Sequence, residues 1–137
     1  IRPGDKGRRI RDVTDGTSKS VAVFECAGRP QLWTFGTLVA DSGLATSPAS
    51  LYVSLCGWAD ANQFVSRGFK ADAAGLAKSP GPAMINGSNN FGIYSHHPGG
   101  ACVLFADASA CFLADSTAAD VVAALLTIQG GDPAVRP

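Results

Sequence analysis

Apolar and polar positions along the chain alternate in short runs punctuated by Gly, Pro, Asn and Ser, the rhythm of a β-rich domain with few long helices. Ser20-Val21-Ala22-Val23-Phe24-Glu25-Cys26 reads as a strand with Val21 and Val23 on one face, entered from a turn at Asp15-Gly16-Thr17-Ser18 and ended by Ala27-Gly28-Arg29-Pro30. Leu32–Phe35 and Thr37–Val39 form a second β-like segment, with Gly36 a bulge position between them. Small and polar residues over 40–50 predict a loop, Leu51–Cys56 another strand, and Trp58–Arg67 fits either a short helix or irregular chain. Residues 71–90 read as loop, with turn clusters at Lys78-Ser79-Pro80-Gly81-Pro82 and Asn86-Gly87-Ser88-Asn89-Asn90. Asn86-Gly87-Ser88 also fits a glycosylation sequon, but a turn accounts for the same residues.

The strongest local signal is a hairpin in which Ala101–Ala106 and Ala110–Leu113 flank Asp107-Ala108-Ser109. With Asp107-Ala108 as a two-residue turn, Phe105 faces Ala110 and Val103 faces Phe112. Val103, Phe105 and Phe112 then share one face, and Cys102, Leu104, Cys111 and Leu113 the other. Both faces are apolar, which predicts a ribbon covered on both sides. Ala108 fits a type I′ turn poorly, since both central residues there need positive φ at a cost of about 1 kcal/mol. The turn is therefore expected to reach Ser109 or to be of another type. Thr117-x-x-Asp120 reads as a capping box opening a helix that carries Val121, Val122, Leu125 and Ile128, stopped by Gly130-Gly131 and Pro133. Together these elements predict an α+β fold: a mainly antiparallel sheet with a C-terminal helix packed on it and long loops. Residues 1–137 form one domain, of which 1–12 are a basic N-terminal arm.

Charge changes this picture little. Eleven Lys and Arg balance eleven Asp and Glu, so net charge is 0, which argues against nucleic acid as the main partner. The arm is the exception, with Arg2, Lys6, Arg8, Arg9 and Arg11 against Asp5 alone; it reads as a solvated face or a contact for an acidic partner. Arg8, Arg9, Arg11, Trp58 and Phe91 are the candidate partner-binding residues. No apolar run approaches the ~20 residues of a membrane span, and no basic stretch followed by an apolar one reads as a signal peptide. Cys26, Cys56, Cys102 and Cys111 lack C-x-x-C spacing, which speaks against zinc ribbons. One or two disulfides in an oxidising location are the better expectation, buried free thiols the alternative, with three pairings open. In the two-residue-turn register Cys102 and Cys111 lie diagonally, ~7–8 Å apart, too far for easy bridging, so each is expected to pair elsewhere or stay free.

Catalytic constellations are scarce. No G-x-S-x-G elbow, Walker loop, H-E-x-x-H, EF-hand loop or G-x-G-x-x-G occurs. His97 precedes and Asp107 follows a strand ~20 Å long, whereas a catalytic dyad needs ~3 Å contact. Asp107 is better read as a turn former with Ser109, and His97 as a lock across the turn Pro98-Gly99-Gly100. His96 and His97 point opposite ways on extended chain, so they do not chelate one metal together; a single-histidine site with Asp115 or Asp60 is the weaker alternative. Cys102, five residues past His97 on a strand expected to be buried, is a poor nucleophile. Trp33, Tyr52, Trp58, Phe91 and Tyr94 read as packing more readily than as a glycan or peptide groove. No enzyme activity, metal or cofactor is assigned.

One stretch is distinctive: His96-His97-Pro98-Gly99-Gly100-Ala101-Cys102-Val103-Leu104-Phe105-Ala106-Asp107. It resembles the C-terminal signature of the bacterial type IV pilin-like (pseudopilin-like) proteins that carry the prepilin-processing-associated H-x9-D-G motif, with His97 and Asp107 keeping the spacing. Ile10-Arg11-Asp12-Val13-Thr14-Asp15-Gly16-Thr17-Ser18 followed by Glu25 is similar to that family's I-x-D-G-T-S-N-T…E stretch. Trp58-Ala59-Asp60, Gly81-Pro82 with Ile85-Asn86, and Leu125-x-x-x-Gln129-Gly130-Gly131-Asp132 agree in order as well. Ala108 departs from the motif's glycine, Ala83 and Gly87 stand where many members have cysteines, and Cys102 and Cys111 are extra. The family's N-terminal pilin helix, with its processing site, is not in this chain, which corresponds to the C-terminal part of a full-length member. The resemblance implies a pilin-like globular head at the bacterial surface or in the cell envelope. There it would serve as a non-catalytic subunit of a filament, pseudopilus or other assembly, contacting other protein subunits through loop residues 71–100 and the arm. The alternative expectation is an extracellular module binding glycan or Ca2+ through loop 81–92.

Overall fold

In the computed structural model, residues 7–40 and 67–131 are described. Expectations for Leu51–Cys56, Tyr52, Trp58, Asp60 and the first residues of the arm lie outside them. The architecture is α+β: antiparallel sheets and one C-terminal helix. Strands β1 (Val21–Phe24), β6 (Gly100–Phe105) and β7 (Ala110–Ala114) form a three-stranded antiparallel sheet in the order β1-β6-β7. Two antiparallel hairpins stand beside it, β2 (Leu32–Thr34) with β3 (Thr37–Ala40) and β4 (Phe69–Ala71) with β5 (Ala77–Ala83). Helix α1 (Ala119–Leu125) closes the fold.

The core lies on one face of the three-stranded sheet. Ala101, Val103, Phe105 and Leu113 meet Val122 and Leu125 of α1 and Ile85 and Ile93 of the preceding loops, all at most 3% exposed. At seven residues α1 is too short to be stable alone, so its packed face holds it. The expected cap is not formed: Ala118 is the N-cap and supplies no side-chain bond, while Thr117 stands outside the helix. The Leu126 N–H ends the helix on the Val122 and Ala123 carbonyls.

Four further sequence expectations need correction. In β1 a bulge between Val21 and Val23 puts two residues opposite one. Val21 and Phe24 therefore pack on the core while Val23 is 58% exposed. Gly36 is no bulge: Phe35 and Gly36, with φ 47° and 78°, are the two-residue turn between β2 and β3, the left-handed pair of a type I′ hairpin. The stretch read as loop over 71–90 contains β5 and borders β4. The prolines hid it; the register jumps between Phe69/Ala83 and Lys70/Lys78, so Pro80 and Pro82 sit in the displaced part where no ladder bond is lost.

The fourth correction matters most. The β6–β7 register pairs Leu104 with Ala110, Val103 with Cys111 and Cys102 with Phe112, one residue away from a two-residue turn. The turn reaches Ser109, as Ala108 required: Ala108 N–H donates to Phe105 O at 3.0 Å, Phe105 N–H donates to Ser109 O at 2.9 Å, and Ala108 has φ 66°. The shift moves Phe112 out of the company of Val103 and Phe105, and Cys111 into it. Among the described residues the ribbon is covered on the inner side only; on the outer side Phe112 is 48% and Leu104 38% exposed.

Candidate functional site

β1 continues past Phe24 as an irregular extension that pairs on both sides. Glu25 N–H donates to Cys102 O at 3.3 Å, and Glu25 O accepts from Tyr94 N–H at 3.0 Å. This places the Glu25 side chain at the start of β6. Its Oε2 accepts the Cys102 N–H at 2.7 Å, and its Oε1 lies 3.5 Å from His97 Nε2. His97 reaches back over the Pro98-Gly99 turn, where Gly99 takes φ 81°, and its own N–H donates to Ser95 Oγ at 3.0 Å. The Cys102 thiol completes the group: one ligand atom each from Glu25, His97 and Cys102 lie within 4.8 Å of one another. His97 therefore meets Glu25, and Asp107 belongs to the far end of β6. There Asp107 Oδ1 accepts from the N–H and hydroxyl of Ser109 and shapes the turn.

The neighbouring His96 has a different role. Its ring stands edge-on to Trp33 at 4.9 Å and to Tyr94 at 5.8 Å. Tyr94 is 1% exposed, so it packs and presents no stacking platform. Burial pushes its hydroxyl above the ordinary tyrosine range; the Gly36 backbone opposes this through a hydrogen bond, and the negative charge of Asp115 adds to it. Beside it runs an open groove of about 490 Å³, lined by Phe35, Ile85, Tyr94, His96, His97 and Asp115, among others.

Loop 81–92 spends its polar side chains inward. Asn89 is fully buried: Nδ2 donates to Ala27 O (3.1 Å) and Gln31 O (2.8 Å), and Oδ1 accepts Trp33 N–H at 2.9 Å. Asn86, at φ 54°, donates from Nδ2 to Asp115 Oδ1 at 2.8 Å and to Gly100 O at 3.3 Å, and accepts Ser95 N–H at 2.8 Å. The sequon asparagine is thus a turn residue bonded on both ends of its amide. The Phe91 ring, in a residue at φ 64°, is met by the guanidinium groups of Arg29 (5.6 Å) and Arg67 (5.4 Å), so it is engaged within the chain. Arg8, Arg9 and Arg11 are exposed around the short 3-10 turn Ile10–Asp12, and Trp58 lies outside the described residues.

Among the described residues Cys26, Cys102 and Cys111 carry free thiols, so no disulfide joins any two of them; Cys56 is outside. The one-residue register change puts Cys102 on the exposed outer face and Cys111 on the inner, which replaces the diagonal arrangement read from sequence. Burial, partly opposed by Arg29, pushes the Cys26 thiol above its ordinary range. The convergence of Glu25 with His97 and Cys102 is not readable from spacing, because Glu25 comes from a distant segment brought to residues 94–102 by backbone pairing with Tyr94 and Cys102. The one signal was that Glu25 and His97 both belong to stretches that stand out in the sequence.

No helix among the described residues is long and apolar enough to cross a membrane. No curated protein and no solved structure matches the chain. A family described as protein of unknown function (DUF1559) matches residues 3–120, and to that family the chain belongs.

Proposed function

We propose that the chain is a non-catalytic assembly subunit of a bacterial extracellular filament, secretion-type pseudopilus or other cell-envelope complex. It works by burying complementary surface against other protein subunits. The observation that carries this reading is the outer face of the three-stranded sheet, where Val23 (58% exposed), Leu104 (38%) and Phe112 (48%) stand on adjacent strands. Val23 and Leu104 are register partners, and Phe112 sits across from Cys102. Clustered exposed apolar side chains of this size mark contact surfaces more than solvated ones. Similarity of the His97 to Asp107 stretch to the H-x9-D-G signature of pilin-like proteins points the same way, and His97 and Asp107 fit structural roles at the two ends of β6. Loop 81–92 is a weak base for the alternative ligand-binding reading, since Asn86 and Asn89 already satisfy their amides internally.

Light scattering on size-exclusion fractions over a wide concentration range tests the proposal. The expected result is a concentration-dependent mass above that of one chain, lost in Phe112→Arg while far-UV circular dichroism is kept. A strictly monomeric species at every concentration, with no envelope protein co-purifying from the source cell, overturns it.

A further inference from the structure

We propose that Glu25, His97 and Cys102 form a binding site for a thiophilic divalent transition metal, Zn2+ foremost. This goes beyond the assembly role and does not depend on it. The three donors are a carboxylate, an imidazole and a thiol, a set that suits zinc. Their ligand atoms already lie within 4.8 Å of one another, with Glu25 Oε1 and His97 Nε2 3.5 Å apart. Around tetrahedral zinc such atoms stand about 3.3–3.6 Å apart, so rotations of exposed side chains by about an ångström complete the geometry.

The backbone holds two of the donors in place before any ion arrives. Glu25 and Cys102 are bonded across the β1–β6 pairing, and the second carboxylate oxygen of Glu25 is fixed by the Cys102 N–H at 2.7 Å. The first is left to the ion. His97 is anchored through its own N–H to Ser95 Oγ, which leaves Nε2 directed at the carboxylate. The His97 side chain is 60% exposed and Cys102 lies on the open face, so an ion enters without unfolding and a fourth position stays open to water or an outside donor.

Charge and proton balance are simple. The Cys102 thiol gives up its proton to solvent as the metal–sulfur bond forms, no electron is transferred, and thiolate plus carboxylate neutralise the 2+ ion. Calcium is a poor match, since it takes six to eight oxygen ligands and the site offers one carboxylate.

Titration of the full chain with Co2+ and, by calorimetry, with Zn2+ tests the site. The expected result is one equivalent bound, a thiolate-to-cobalt charge-transfer absorption, proton release, and a higher melting temperature with Zn2+ than with EDTA. Cys102→Ala should abolish the absorption, and Cys102→Ala and His97→Ala should each weaken Zn2+ at least about tenfold, the scale seen for loss of even an outer-shell group. Cys26→Ser and Cys111→Ser should bind as the parent does. Both ligand positions are exposed, so unchanged circular dichroism in EDTA is the folding control, and Glu25→Gln keeps an acceptor for the Cys102 N–H if a further variant is needed. Absence of the charge-transfer band, or parental Zn2+ affinity in Cys102→Ala and His97→Ala, overturns the proposal.

Discussion

The two faces of the β1-β6-β7 sheet are built from the same kinds of side chain and differ in what lies against them. On the inner face Val103, Phe105 and Leu113 are at most 3% exposed beneath Val122 and Leu125. On the outer face Val23, Leu104 and Phe112 keep between 38% and 58% of their surface. Apolarity alone does not separate Phe105 from Phe112. Register does, because period two sends alternate residues to opposite faces and a slip of one residue exchanges them. The inner face contributes to stability, and the outer face, uncovered by any described residue, is the one proposed to meet a partner and carries the Glu25–His97–Cys102 group at its edge.

The sharpest way to break this comparison is to truncate one phenylalanine on each face. Phe105→Ala should destabilise by about 3–5 kcal/mol, the range for emptying a buried aromatic site, and leaves little of a small domain's ordinary margin. Phe112→Ala should change the isolated chain by under about 1 kcal/mol, as exposed positions away from special features do. Urea unfolding at low protein concentration measures both. Equal losses would mean the outer face is covered too.

Much of this was legible in the residues, and the rest failed for identifiable reasons. The hairpin strands, the helix around Val122 and Leu125 and the awkwardness of Ala108 follow from local pattern, which is where sequence reasoning is strongest. Hydrophobic periodicity points to the wrong face wherever one extra residue enters the ladder, at Ala22 in β1 and in the turn before Ala110, because a bulge leaves no mark in it. β5 is hidden in the sequence because Pro80 and Pro82 look like breakers, yet they sit where the register jumps. At the candidate site His97 stood out, but its partners were hidden: Glu25 and Cys102 are 77 positions apart and meet only through strand pairing. Asn89 looks like a turn residue in the sequence, although its side chain ties residues 27–33 to its own loop.

A smaller effect probes how the inner cover is fastened. Asp15 accepts the N–H groups of Gly130 (2.8 Å) and Gly131 (2.9 Å) and the Thr127 hydroxyl (3.0 Å), pinning the chain just beyond α1 to the N-terminal turn. The Gly131 and Gly130 N–H bonds hold its carboxyl below the ordinary value of 3.8, against a smaller opposing effect of burial. A carboxylate lowered in the folded state adds stability that is fully present above the unfolded value and fades as pH falls through the folded one. Asp15→Asn should therefore be less stable than the parent at neutral pH, and the gap should narrow as pH drops below about 4. Thermal melts of both proteins from pH 7 to pH 3 check this; a gap that is constant or widens in acid removes the clamp from the account.

The smallest expected effect tests the register on which the comparison rests. In the β2–β3 hairpin the left-handed second turn position is a glycine, Gly36, whereas the β6–β7 loop puts Ala108 at φ 66°. An L-residue there carries roughly 1–2 kcal/mol of strain from its Cβ, and glycine would recover it less about 0.5–1 kcal/mol for the greater freedom of the unfolded chain. Ala108→Gly should thus stabilise by about 0.5 kcal/mol, near 2 °C in melting temperature for a domain of this size. It alters neither face, because Ala108 is exposed and its N–H stays bonded to Phe105 O. If the loop instead closed as a two-residue turn, Phe112 would join Val103 and Phe105 on the inner side. Amide exchange separates the two arrangements: the Phe105 N–H, donated to Ser109 O at 2.9 Å, should stay protected in parent and variant alike. A rapidly exchanging Phe105 amide would mean that β7 has slipped and that the outer face belongs to other residues.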